Sequence, residues 1–226
     1  MATWIAHLRI AESLLNKGLK FEKIPFVSGN IAPDAGIPNE DYSVFSPPPA
    51  ITHWKDEEGK LKAEDFYKKY IAFKSEEEDK EKLSFLLGYY THLLTDIEWG
   101  KLYRVKKEEP AYREGLGRDR NFIWEIKEDW YGLDFLYLKE NEKNIFSECF
   151  QHITEVEDYL DYFPEGAFTA RFEYIRNYYL GKFGDSIDPD RNYIYLTKEE
   201  MDKFVNEASE NIKKQLLEKD ALKKVY

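Results

Sequence analysis

Hydrophobic positions along the chain recur mainly at helical spacing. Residues 3–19 place Ile5, Leu8, Leu15 and Leu19 on one stripe, behind a Thr3 hydroxyl suited to capping a helix. His7 falls within the first two turns of that helix. The pattern then breaks. Residues 20–62 contain Gly29-Asn30-Ile31-Ala32-Pro33-Asp34 and the run Ser46-Pro47-Pro48-Pro49, which predict a long irregular loop carrying Asp34 and His53. A short helix is expected over 63–74. Ser75, with Glu78 three residues on, then predicts a capping box that opens a long helix. Its apolar stripe is Leu83, Leu86, Leu87, Tyr90, Leu94 and Ile97. Gly88, His92 and Asp96 follow one another at four-residue steps on a neighbouring face. Glycine inside a helix costs about 0.5–1 kcal/mol relative to alanine, so Gly88 predicts the close approach of another backbone or of a metal cluster.

Residues 100–118 are charged and contain Pro110, Gly115 and Gly117, the composition of a connector. Helical patterns resume over 119–140, 144–160 and 167–182, with Pro164-Glu165-Gly166 separating the last two. Thr197 and Glu200 form a second capping-box pattern, opening a charged helix to about Leu222. Tyr193-Ile194-Tyr195-Leu196 resembles a short strand without a partner run. The expected architecture is all-α: a single multi-helix domain over 1–226 with a long irregular loop after the first helix. Residues 1–100 carry the chemical motifs, and 101–226 complete the helical domain.

Composition narrows the function classes. Of 226 residues, 42% are hydrophobic, enough for a substantial core. The 17 Tyr, 15 Phe and 5 Trp are read first as packing surface; Trp54, Trp99 and Trp130 are candidate pocket walls, with core packing the plainer role. The formal net charge of -11 disfavours binding to nucleic acid or to anionic membrane, because phosphate contacts need clustered Lys and Arg. A phosphate ester is still compatible as substrate, since a bound divalent cation would dominate the local field. Cys149 is the one cysteine, which excludes an intrachain disulfide and Cys-based zinc sites. The N-terminus lacks a basic region followed by an apolar run, and no stretch approaches a membrane span. A cytoplasmic protein without stable membrane association is expected.

Three of the four histidines come with carboxylates at informative positions: His7, Asp34, His53, then His92 and Asp96 in Thr91-His92-Leu93-Leu94-Thr95-Asp96. A His and an Asp four residues apart on a helix can reach one ion. Three imidazoles and two carboxylates suit zinc and, less exclusively, iron, manganese or nickel. Each residue also has a structural reading: His7 as a satisfied helix residue, Asp34 as a turn former, His53 as a loop hydrogen-bonder, and His92 with Asp96 as an interior polar pair. No Gly-x-Ser-x-Gly, Walker loop or dinucleotide fingerprint is present.

The order of these elements resembles the zinc-dependent phospholipase C family, whose all-helical fold is shared with fungal single-strand-specific nucleases. The resemblance rests on His7-Leu8-Arg9-Ile10-Ala11, Gly29-Asn30-Ile31-Ala32-Pro33-Asp34, Thr52-His53-Trp54 and Leu87-Gly88-Tyr89-Tyr90-Thr91-His92-Leu93-Leu94-Thr95-Asp96, covering about residues 1–100. It implies that Asp34, His53, His92 and Asp96 hold one zinc, and that His7 and Asp96 contribute to a second. Asp96 would bridge two ions about 3.5–4 Å apart, as in two-metal hydrolases. The family's third zinc uses a later pair of histidines and a glutamate; here only His152 remains. Secreted members also ligate through a processed N-terminal Trp, whereas Trp4 is internal. Weaker substitute ligands are Glu148 and His152, four apart on a predicted helix, and Asp134, which follows Trp130-Tyr131-Gly132-Leu133.

The expected function is hydrolysis of a small-molecule phosphate ester by metal-activated water, with one or two zinc ions and with Asp34 as both ligand and proton acceptor. The incomplete ligand set and the absent export signal point away from a phospholipid. The alternatives are a non-catalytic metal-binding protein of the same fold and a helical interaction protein.

Overall fold

The computed structural model describes residues 1–41, 43–72, 79–183 and 187–219. Helix α1 spans Trp4–Asn16, with the Thr3 hydroxyl accepting from the Ala6 amide as the cap pattern predicts. Its buried face carries Ile5, His7, Leu8, Ile10 and Leu14. A second helix, α2 (Lys23–Ile31), lies inside the stretch expected to be irregular. Two features misled the reading. Pro25 sits in the first turn, where the missing N–H has no helical partner to lose. Gly29 is required by packing: a Cβ there would lie 1.9 Å from the carbonyl oxygen of Phe85. A 3-10 turn, Ala32–Asp34, then turns the chain at Pro33. Two-residue strands β1 (Ile37–Pro38) and β2 (Phe45–Ser46) pair antiparallel, followed by the one-turn helix α3 (Pro49–Thr52) and by α4 (Ala63–Tyr70).

Helix α5 (Lys80–Lys106) is the axis of the front half. The expected cap at Ser75 with Glu78 lies outside the described residues; the Asp79 carboxylate caps the helix, accepting from the Glu81 and Lys82 amides. From Leu83 to Asp96 every residue is buried, so this segment is enclosed on all sides rather than on one stripe. Helices α1, α2 and α4 pack around it. The crossing with α2 is set by a reciprocal glycine pair: Gly29 sits under Phe85, and a Cβ on Gly88 would lie 2.1 Å from the Phe26 carbonyl oxygen. Gly88 therefore has the close backbone neighbour that its cost predicts.

The expected connector over 100–118 is helical. Helix α5 continues to Lys106, and Pro110 starts α6 (Pro110–Arg118) from its first position, where proline is favoured. Helix α7 (Ile123–Glu140) follows a 3-10 turn. The pattern over 144–160 yields only α8 (Ile145–Glu148) and a 3-10 turn, Phe150–His152. The Asn144 side chain and Ser147 close a capping box there, after which Ile153 and Leu160 are drawn into the core from extended chain. Helices α9 (Ala167–Tyr179) and α10 (Lys198–Leu217) complete the described elements. The Thr197 and Glu200 capping box is present, and residues 220–222 of the expected helix lie outside the described residues. Tyr193–Leu196 is not a strand. The Ile194 and Tyr195 amides instead donate to the buried Asp129 carboxylate, which also pairs with Arg191.

Candidate metal centre

Four elements converge on one buried point. Helix α1 brings His7, the 3-10 turn after α2 brings Asp34, the end of α3 brings His53, and α5 brings His92 and Asp96. His53 and His92 approach through their Nε2 atoms at 3.2 Å. His53 Nε2 lies 3.3 Å from Asp34 Oδ1 and 3.7 Å from Asp96 Oδ2, and His92 Nε2 is also 3.7 Å from Asp96 Oδ2. On the opposite side of Asp96, Oδ1 is 3.4 Å from His7 Nε2. The His7 and His92 rings stack at 3.8 Å, nearly parallel. Two groups emerge whose potential ligand atoms all lie within 4.8 Å of one another: His7, His92, Asp96 and Asp34, His53, His92.

Neighbours fix how the rings face inward. The Asn30 carbonyl lies 2.8 Å from His92 Nδ1, so that nitrogen carries the proton and Nε2 is left as a lone pair. The Thr52 hydroxyl lies 2.9 Å from His53 Nδ1 and turns Nε2 of that ring toward the centre. Tyr89 anchors this segment by donating to the Thr52 carbonyl, and Tyr162 donates to the Tyr89 hydroxyl. Asn30, Thr52 and Tyr89 lie inside the quoted motifs, but their supporting roles are tertiary and leave no spacing signal.

The electrostatics are those of a preformed cation site. Burial pushes the Asp96 carboxyl up, but the His7 contact and the charges of His92, His7 and the N-terminus outweigh it and hold the group well below the carboxylate range. Burial also opposes ionisation of Asp34, and its bond to His53 with the surrounding imidazoles reverses the balance in the same direction. His92 is pushed down to about 3 by burial first and by His7 second, so it is neutral at pH 7, as ligation needs. Both ring nitrogens of His7 and Asp96 Oδ2 are buried without a hydrogen-bond partner. Leaving such atoms unpaired costs about 1–3 kcal/mol each. A cation would take up Asp96 Oδ2 and the lone pair of the His7 Nε2 that faces Asp96, so the residues present fit zinc in donor type and in unspent capacity.

The weaker candidates lie elsewhere. Asp134 is buried on α7, but its two oxygens accept from the Thr3 hydroxyl at 2.6 Å and from the Tyr179 hydroxyl at 2.5 Å. Burial raises its pKa to about 7. Glu148 and His152 are both exposed, and with the expected helix reduced to one turn they share no helix face. His152 Nε2 lies 3.1 Å from the Ser147 carbonyl oxygen. None of the three belongs to either ligand group among the described residues. Trp4 is also no ligand candidate; its ring packs edge-on against Tyr174, Tyr178 and Tyr179. The N-terminal segment nevertheless reaches the centre, because the Ala2 amide donates to Asp96 Oδ1 at 2.8 Å.

No curated protein and no solved structure matches the chain. No helix among the described residues is long and apolar enough to cross a membrane. The family model described as Zinc dependent phospholipase C matches residues 6–99. The matched segment, which carries His7, Asp34, His53, His92 and Asp96, is similar to the zinc-dependent phospholipase C family, a family of zinc-dependent phosphoesterases.

Proposed function

We propose that the chain hydrolyses a small phosphate ester at a centre held by His7, Asp34, His53, His92 and Asp96. The observation that carries this reading is the convergence of all five side chains, in family order, around buried nitrogen and oxygen atoms that have no protein partner. Zinc bound there supplies Lewis acidity that activates water near neutral pH and offsets charge on the phosphoryl group. Asp96 has one oxygen toward His7 and the other toward His53 and His92, an arrangement suited to bridging two ions.

Asp34 is the most accessible of the five, with a side chain 11% exposed against at most 1% for the others. It is therefore the group placed to meet an incoming water and take its proton. Its depressed pKa makes it a ligand first and a weak base second. His92 stays a neutral donor, and the His92 and His53 rings are oriented by Asn30 and Thr52.

Protein purified without added metal is expected to contain one or two zinc ions per chain. Asp96→Ala should bring the metal content near zero. Hydrolysis of generic phosphomonoesters and phosphodiesters should be lost in His92→Ala and in Asp96→Ala. Wild-type rates in both variants would overturn the assignment. Stoichiometric zinc without turnover of any ester would favour a non-catalytic metal-binding protein.

A further inference from the structure

Asp34 opens onto a cavity of about 300 Å³ at the junction of the N-terminal segment, α5 and α7. That volume lies at the lower end of the range for small-molecule sites. Its walls are aromatic: Trp4, Trp99, Tyr103 and Trp130 line it, and Trp130 meets both Trp99 and Tyr103 edge-on. The rings are braced against one another and present rigid apolar faces at low entropic cost.

Lys127 lines the same cavity, as does Met1, whose terminal ammonium acts on Asp96. Lys127 is half-buried, its ammonium 4.4 Å from the centre of the exposed Trp124 ring. Burial lowers its pKa, and no charged neighbour among the described residues offsets that shift. In a chain with 44 acidic and 33 basic side chains, a partly desolvated lysine without a carboxylate partner is unusual. The cavity of about 380 Å³ beside Arg9 shows the contrast, since there the guanidinium is neutralised by Asp202 at 2.5 Å. Lys127 also lies outside the family-matched segment, so its position is a property of this chain's own back half.

We propose that this cavity is the substrate pocket, that Lys127 holds a phosphate oxygen there, and that the aromatic walls receive a flat aromatic group esterified to the phosphate. This assignment rests on the phosphoesterase reading, since Asp34 joins the pocket to the metal centre. An anion entering beside Asp34 meets its carboxylate, and Lys127 on α7 adds a cation within the cavity to the charge that the centre's metal would supply. The walls offer ring surface from Trp4, Trp99, Tyr103 and Trp130, which favours a flat group.

The test uses non-hydrolysable probes on the zinc-loaded protein. Phenylphosphonate and methylphosphonate are titrated by calorimetry and by quenching of tryptophan emission. Phenylphosphonate is expected to bind at least about ten-fold more tightly than methylphosphonate. Lys127→Met should weaken both by at least about ten-fold, and Lys127→Arg should restore most of the loss, with zinc content and melting temperature unchanged. Equal binding by wild type and Lys127→Met, no preference for the phenyl probe, or no binding of either probe overturns the proposal. Hydrolysis of p-nitrophenyl phosphate separates it from the reading beneath it. Turnover with an unchanged KM in Lys127→Met sinks the pocket and leaves the phosphoesterase standing. Lys127-dependent phosphonate binding without turnover of any ester sinks the phosphoesterase and leaves the pocket standing.

Discussion

Asp96 and Asp134 are both buried, on adjoining parts of the structure, and consecutive residues of the N-terminal segment touch them. The Ala2 amide donates to Asp96, and the Thr3 hydroxyl donates to Asp134. Their environments drive them in opposite directions. Around Asp96 the neighbours are imidazoles, the carboxyl is held far down, and one oxygen has no hydrogen-bond partner. Around Asp134 the neighbours are hydroxyls, both oxygens are occupied, and burial lifts the pKa to about 7. Burial is common to the two and so cannot distinguish a ligand from a structural acid. The difference lies in whether the neighbours are imidazoles or hydroxyls and whether a lone pair is left unused.

The largest break in this comparison is expected from truncating each acid. Asp96→Ala should abolish metal retention and lower turnover by at least about 10²–10³-fold. Asp134→Ala should leave metal content at the wild-type ratio. Elemental analysis of both proteins checks the pair. Gly88→Ala should act on the imidazole side alone, because its Cβ would meet Phe26 and Asn30 across the helix crossing. A cost of about 1–3 kcal/mol in chemical denaturation is expected. Zinc affinity should fall about 10–100-fold as the Asn30 contact to His92 shifts.

Acidity should separate the two regions by sign. The folded pKa of Asp134 is raised, so the metal-free protein gains stability from this group at low pH and loses it as pH rises from about 4 to about 7. Asp134→Asn should remove that falling contribution from the difference between the two stability curves. His92 is depressed to about 3, so its contribution is present above its ordinary pKa of 6.5 and lost as pH falls toward 3. Tyr179→Phe is expected to have the smallest effect, about 0.5–1.5 kcal/mol of stability with zinc content unchanged. It would push the Asp134 carboxyl higher still by removing one donor.

The cluster of candidate ligands was legible because its members stand in local patterns: His92 and Asp96 at four-residue spacing, Asp34 after Pro33, His7 early in an amphipathic helix. Helix α1 and the start of α10 were legible through stripes and caps, and the body of α5 through its apolar residues, whereas the Asp79 cap of α5 was not. Helix α2 was not, because Pro25 and Gly29 read locally as breakers. One is harmless in a first turn, and the other is made necessary by Phe85, 56 residues away in the chain. The stretch over 144–160 failed the opposite way. Its composition allows a helix, but burial of Phe150, Ile153 and Leu160 against the core holds the chain extended after one turn. Lys127 carried no signal at all, since what distinguishes it is the absence of an acidic neighbour in space.

The paired glycines also fix how far apart two arms of the centre stand. Main-chain atoms of two helices meet at Gly29 and Gly88, so the gap between the arm carrying Asp34 and the one carrying His92 is gauged by backbone rather than by flexible side chains. A methyl group at either position would wedge α2 from α5 and carry Asp34 away from His92. The spacing of the centre is thus held from behind, at two positions where the chain has no side chain at all.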